Sequence, residues 1–187
     1  MIVPIAYVSD WMISKADSWF ATLRDELAWV QRDTTPRQEY YINAVNTPYT
    51  YGSGDFARTY SPQPMHPIVR EIQTETELIA GCKFEVCFLN RYLTQSNHLG
   101  WHSDNSPEMD DTRPIAIVSL GVSREIWFRP INSVDQVTKI KLASGSLCLM
   151  HAGMQDSWQH RIPKASFQCG ERISLTFRGY VPLVISN

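Results

Sequence analysis

The apolar positions of this 187-residue chain change their period near residue 84. Ahead of it, residues 14–30 place Trp19, Phe20, Leu23, Leu27 and Val30 at helical spacing, with Lys15, Asp17, Arg24 and Asp25 elsewhere on the cylinder. Apolar side chains recurring every three to four residues specify an amphipathic helix, here one lying on a sheet. A second helix is predicted to begin with Pro67 at its first position, after His66, and to stop at Gly81. Residues 31–64 are rich in Pro, Gly, Thr and Asn and contain Tyr40, Tyr41, Tyr49, Tyr51 and Tyr60. They read as long loops and short hairpins rather than core, the tyrosines packing a lid over about residues 30–65.

From residue 84 the pattern is that of strands, at 84–93, 115–120, 124–129, 136–142, 146–150 and 172–180. Several short strands separated by turn signals predict a mainly β sandwich or barrel with helices packed outside. The length suits one domain with a full core, and repeats and low-complexity segments are absent.

Charge narrows the choice of partners. The formal net charge is −2, so no global basic field draws the chain to nucleic acid, and any such contact must come from local patches and be salt-sensitive. The opening Met-Ile-Val-Pro-Ile-Ala-Tyr-Val has no basic region and is broken by Ser9 and Asp10. Neither a signal peptide nor a membrane span is expected, and a cytoplasmic location follows. Cys82, Cys87, Cys148 and Cys169 show no C-x-x-C spacing. Cys87 and Cys148, in apolar runs, are expected to pack as small hydrophobes in a reducing compartment.

The chemistry concentrates at His102-Ser103-Asp104 and beyond. On a strand, residues two apart share a face, so the imidazole and the carboxylate would stand side by side. A third ligand would complete the two-His, one-carboxylate set that suits non-haem Fe(II) oxygenases. His160 competes for that role with His98 and His151, while His66 belongs to a helix start. Downstream of His160, Arg172, Ser174, Thr176 and Arg178 alternate with Ile173, Leu175 and Phe177, giving one strand a polar, cationic face. Inward guanidiniums need anions, and a dicarboxylic acid such as 2-oxoglutarate supplies them in the bidentate geometry that Arg favours. Asn90 and Tyr92 share a strand face and can donate to the same ligand.

These residues carry a resemblance. Pro36-Arg37, Pro-Tyr-Thr-Tyr-Gly-Ser-Gly at 48–54, Asn90-x-Tyr92, Gly-Trp-His-Ser-Asp at 100–104 and Arg-Ile-Ser-Leu-Thr-Phe-Arg at 172–178 resemble the AlkB-like Fe(II)/2-oxoglutarate dioxygenases. So do the intervals from Tyr92 to His102 and from His160 to Arg172. The resemblance covers most of the chain from Pro36 onward. It implies a double-stranded β-helix, or jelly roll, over about residues 84–182, with the lid as a nucleotide-recognition element. It implies that His102, Asp104 and His160 bind Fe(II) and that Arg172 pairs with the distal carboxylate of 2-oxoglutarate. Asn90, Tyr92 and Arg178, with Ser174 and Thr176, complete that pocket. The implied reaction uses O2 to oxidise an N-methyl group on a base of single-stranded DNA or RNA, in a monomer without membrane contact.

For the substrate, the resemblance assigns base stacking to Tyr51. Arg37, with Arg32 and Arg58, is a candidate phosphate or base contact, and Tyr49 and Trp101 border the same site. Two features depart from the family. Repair members carry an acid two residues after the metal-binding Asp, where this chain has Ser106; Glu108 is the nearby candidate to replace it. The connection at residues 30–37 is also too short for an aromatic finger that wedges open a base pair, which favours single strands. Two rivals remain: the same oxygenase acting on a protein side chain, lipid or small molecule, and a catalytically silent jelly-roll module that binds an anion.

Overall fold

The computed structural model describes residues 2–51 and 57–181. Gly52 to Gly54 of the tyrosine-glycine motif, and the last position of the expected core, lie outside the described residues. Along the chain run β1 (Ile5–Val8), α1 (Ile13–Glu26), β2 (Val30–Gln31), β3 (Gln38–Asn43), β4 (Tyr49–Tyr51), β5 (Arg58–Tyr60) and α2 (Pro67–Ala80). They are followed by β6 (Val86–Tyr92), β7 (Leu99–His102), β8 (Ile115–Gly121), β9 (Arg124–Pro130), β10 (Thr138–Leu142), β11 (Ser146–Met150), β12 (Trp158–Ile162) and β13 (Arg172–Arg178). A large antiparallel sheet has the order β1-β11-β8-β13-β6-β3-β2, and a smaller one the order β10-β9-β12-β7. A separate hairpin, β4-β5, belongs to the lid. This is the jelly roll with flanking helices.

Period-two alternation on the large sheet sorts side chains to its two faces. Leu89, Val118, Leu147 and Leu175 pack against Trp19 and Leu23 of α1 and Val69 and Ile72 of α2. Ile117, Cys148 and Met150 meet Ile126, Phe128 and Ile162 of the smaller sheet, forming a second core between the sheets. Tyr41, Tyr49, Tyr60 and Phe88 form a third cluster under the lid.

Helix α2 starts and stops where its signals predict. The His66 ring accepts from the Ile68 amide, Pro67 follows, and Gly81 closes the helix at φ 69°, a left-handed conformation in which a side chain would be strained. Helix α1 ends at Glu26, short of the expected residue 30. Leu27 turns to ψ 138°, and the Trp29 indole folds back to donate to the Leu23 carbonyl at 3.1 Å. Val30 therefore begins β2.

Residues 31–64 are less loop-like than their composition indicates. Strand β3 pairs with β6 in the large sheet, and Tyr40, Tyr41 and Ile42 are buried. Strands β1, β7 and β12 add to the predicted set. Strands β6, β10 and β13 are shorter than expected, and Tyr180 is held by an isolated bridge to Met109. Cys87 and Cys148 are buried and all four thiols are free. Among the described residues no helix is long and apolar enough to cross a membrane.

Candidate active site

His102 ends β7 and His160 lies in the middle of β12, and the two are register partners. The expected sharing of a strand face by His102 and Asp104 is corrected here: the strand stops at His102. Asp104 comes alongside because the chain beyond is pinned. The Ser103 hydroxyl donates to the Trp158 carbonyl at 2.8 Å, and the Asp104 amide donates to Gln155 Oε1 at 2.9 Å. His102 Nε2 then lies 3.6 Å from Asp104 Oδ1, and His160 Nε2 lies 3.7 Å from Asp104 Oδ2. One donor atom from each of the three lies within 4.8 Å of the others.

The environment suits metal binding. Burial depresses both imidazoles, His160 to about 3 with His102 adding to the effect, so both rings are neutral near pH 7 with lone pairs free for a metal. His102 Nδ1 sits 2.9 Å from the Gly100 carbonyl, which fixes its proton there and leaves Nε2 as the ligand atom. Burial alone would raise the Asp104 carboxyl, but Arg178, His160 and His102 outweigh it and hold it below its ordinary value. Two neutral imidazoles and one carboxylate on one side of a cavity fit Fe(II). His98 and His151 lie outside this group; the His98 ring contacts its own loop at Ser96, and His151 is exposed.

Strand β13 lays Arg172, Ser174, Thr176 and Arg178 along the adjoining chamber, which Asn90, Tyr92, Ile117 and Ile126 also line. Its other face, Ile173, Leu175 and Phe177, belongs to the core. Arg172 is fully buried. Its Nη2 donates to Ser119 Oγ at 2.8 Å, its guanidinium lies over the Tyr92 ring at 5.3 Å, and Nε and Nη1 have no partner. Burial, with Tyr92 opposing and Arg124 assisting, brings its pKa down to about 10; it remains a cation. Arg178 Nη2 pairs with Asp104 at 2.7 Å, while its Nε is also without a partner. Buried donors without acceptors are costly, so this chamber fits a dianion bridging two guanidiniums, as 2-oxoglutarate would.

The chamber opens into a mouth lined by Tyr49, Tyr51, Arg58, Tyr60, Phe88 and Leu99, with Arg37, Asn90 and the triad's His102 and Asp104 at its base. Several candidate contacts fall differently from expectation. Arg37 is buried rather than offered to phosphate: its Nε donates to Asn90 Oδ1 at 2.6 Å and its Nη2 to Glu39 at 2.8 Å. Arg32 lies over the Tyr60 ring at 4.6 Å. Trp101 faces away from the mouth, beneath Arg129 at 4.2 Å, because it alternates with the inward His102. Ser106 Oγ is engaged by Tyr49 Oη, and Glu108 does not line the mouth. Glu39, Ser119 and Gln155, which hold Arg37, Arg172 and Asp104, escape sequence reasoning because nothing local marks a buried polar residue as a support.

Comparison with known proteins agrees with this geometry. The pattern of the 2OG-Fe(II) oxygenase superfamily matches residues 7–178. The DNA oxidative demethylase ALKBH2 of Bos taurus is 30% identical over 156 residues, 80% of this chain and 55% of that protein. The alpha-ketoglutarate-dependent dioxygenase alkB homolog 3 of Bos taurus is 31% identical over 185 residues, 91% of this chain and 63% of that protein. This chain thus spans between half and two thirds of the length of those two relatives. Mouse ALKBH2 is 30% identical over 183 residues, of which this chain covers 77%. In fold, the solved structure of OsALKBH1 superimposes with a TM-score of 0.63 at 17% identity, covering 95% of this chain and 99% of that one. With the family pattern running from β1 to β13 and the triad and anion chamber on the strands it spans, the chain belongs to the 2OG-Fe(II) oxygenase superfamily, as an AlkB-like member.

Proposed function

We propose that this protein is an Fe(II)/2-oxoglutarate-dependent dioxygenase that removes N-methyl groups from nucleic-acid bases, preferring single strands. The observation that carries the reading is the pair of buried guanidiniums with unpartnered nitrogens, Arg172 and Arg178, beside a His-Asp-His group. A silent anion-binding module would need the first and not the second.

Arg172 holds the distal carboxylate of 2-oxoglutarate, and Arg178 and Asn90 orient the end nearest the triad. Iron, when bound, supplies O2 activation: one oxygen atom enters a substrate C–H bond and the other enters 2-oxoglutarate, which leaves as succinate and CO2. An N–CH3 group thereby becomes N–CH2OH, which falls apart to N–H and formaldehyde. The protein's share is orientation and exclusion of water.

A base is the favoured substrate because the mouth is aromatic and cationic. Tyr51 is half-buried at its rim, with Arg58 beside it, and an aromatic of this kind stacks on a flipped base for about 1–3 kcal/mol. The relatives bear names of a DNA oxidative demethylase and an alpha-ketoglutarate-dependent dioxygenase, which supports the same reading. Single strands are favoured by the connection after β2. It is a closed turn in which Thr35 N–H donates to the Arg32 carbonyl at 3.1 Å and Gln31 Nε2 to the Thr35 carbonyl at 3.0 Å, with no aromatic to wedge into a duplex. Succinate and formaldehyde release across methylated single- and double-stranded DNA and RNA oligonucleotides tests the proposal. Succinate formation coupled to a peptide, lipid or metabolite, with no formaldehyde from any oligonucleotide, would refute it.

A further inference from the structure

We infer that the outer face of the small sheet, on the side away from the triad, is a docking track for the single strand that flanks the base in the mouth, a role that rests on the nucleic-acid reading above.

Register builds this face. Lys139 of β10 lies opposite Trp127 of β9, and Trp127 lies opposite Arg161 of β12. On β7, Leu99 and His102 are the partners of Ile162 and His160, so Gly100 and Trp101 together oppose Arg161 as a bulge. The extra residue lets Leu99 and His102 both line the mouth while Trp101 turns outward. One row across the four strands therefore reads Lys139, Trp127, Arg161, Trp101. Lys139 Nζ lies 4.2 Å from the centre of the Trp127 ring, and the Arg161 guanidinium lies 5.2 Å from Trp127 and 5.5 Å from Trp101. Arg129 covers Trp101 at 4.2 Å, steadied by Gln159, whose Oε1 accepts from its Nε and Nη2 at 3.1 and 2.8 Å. Beside Trp127 the row opens into a groove of about 380 Å³ that Lys141, Lys164 and the exposed Phe167 also line.

Charge and shape together select the occupant. In a chain of net charge −2, the outward side chains of these strands carry Lys139, Lys141, Arg129 and Arg161 against Glu125 alone, and Glu125 accepts from the Trp127 indole at 2.8 Å. This is the local basic patch that the overall charge does not supply. An acidic peptide would answer the cations and leave the indoles without a role. A single strand answers both, because each of its repeats brings a phosphate and a flat base, whereas a duplex hides its base faces. Position supports the same occupant. Strand β7 is the edge of the small sheet, so a strand leaving the mouth across that edge meets Trp101 first. At the usual strand spacing the row from β7 to β10 is about 14 Å long, room for a short run of nucleotides.

The test compares wild type with Lys139→Gln/Lys141→Gln/Lys164→Gln, three exposed positions, and with a control of equal charge on the helical side, Lys15→Gln/Arg70→Gln/Lys83→Gln. Fluorescence anisotropy of a labelled, unmethylated single strand, with Mn(II) in place of iron, gives Kd across a salt series. The first variant should flatten the slope of log Kd against log salt by about 2, at roughly 0.7 for each cation lost, and the control should not. Trp127→Ala should weaken binding roughly 5- to 150-fold at an unchanged slope, and Trp127→Phe should restore most of it. Formaldehyde release should show a raised KM on a long methylated strand and no change on a methylated trinucleotide, which is too short to reach the face. A slope and Kd equal to wild type in the lysine variant overturn the inference, as does equal flattening in the control. Weakened binding to phosphatidylserine vesicles or polyglutamate, with oligonucleotide binding intact, also overturns it and assigns the face to such a partner. Formaldehyde from no methylated oligonucleotide removes the reading of the mouth, while the anisotropy, which needs no turnover, still decides the face.

Discussion

His102 and His160 are direct cross-strand partners between β7 and β12, with ring centroids 4.2 Å apart. Two of the three candidate ligands are therefore placed by sheet register, the stiffest positioning a fold offers. The third, Asp104, is placed by side chains: Gln155 holds its backbone and Arg178 its carboxylate.

That difference separates two variants that should both lose turnover and iron. Asp104→Ala leaves the Arg178 guanidinium buried without its counter-charge and should lower the stability of the metal-free protein by about 3 kcal/mol. His102→Ala removes a neutral ring and should cost clearly less. Metal analysis, succinate release and urea denaturation measure the three effects. Stoichiometric iron with full turnover in either variant would remove the metal assignment.

Arg172→Lys should raise the half-saturating 2-oxoglutarate concentration strongly, because Lys keeps the charge and loses the planar fork. Arg172→Met should go further and separate function from stability. It removes a fully buried cation with two unpartnered nitrogens, so the unliganded protein should melt at a higher temperature, while 2-oxoglutarate no longer raises that temperature. An unshifted 2-oxoglutarate titration in both variants would move the carboxylate site elsewhere.

Wild-type protein should gain about 2.7 kcal/mol at a 2-oxoglutarate concentration a hundredfold above its Kd, since only the folded state binds it. Chemical denaturation with and without the ligand, in the presence of Mn(II), reads this directly. A midpoint that ignores the ligand would show that the chamber does not take it.

Tyr51→Ala should weaken lesion binding by about 1–3 kcal/mol in single and double strands alike. The wild type should act faster on the single strand, because unstacking a base from a duplex costs a few kcal/mol and the closed turn after β2 supplies no wedge. Matched oligonucleotides at one salt concentration decide both points. Faster duplex repair would assign the wedge to another loop, and undiminished Tyr51→Ala activity would assign the stacking to another ring.

Leu175→Ala, on the helix-facing side of β13, should lower stability by about 2–5 kcal/mol with little change in 2-oxoglutarate half-saturation. Denaturation and titration of the same preparation check it. A large shift in half-saturation would mean that the strand moves as a unit when its core side is hollowed.

The polar face of β13 was legible in the sequence because both faces of that strand are specified at period two. Strand β12 carries the same kind of signal in Trp158, His160 and Ile162, alternating with Gln159 and Arg161, but five residues without a run of β-branched side chains are easily passed over. Strand β3 hides for the opposite reason. It is buried on both faces, so Glu39 to Ile42 show no alternation, and the surrounding Pro, Thr and Asn argue for loop. The inward course of Arg37 was not legible, since its partners Glu39 and Asn90 become neighbours only when β3 pairs with β6. Nor was the end of α1: helical spacing continues through Leu27 and Val30, and only the return of Trp29 to Leu23 shows the chain leaving the helix.

The interleaving on β13 also bears on which sequence changes its descendants can survive. Odd-numbered positions answer to the helices and even-numbered ones to the ligand chamber, so substitutions at each can drift independently. A one-residue insertion or deletion within the strand cannot, because it exchanges the two faces downstream of the change. Guanidiniums would then point at α1 and α2, and leucine and phenylalanine would line the chamber, losing core and chemistry in one event. A change of length in this segment thus disrupts both faces at once, where a single substitution disrupts one.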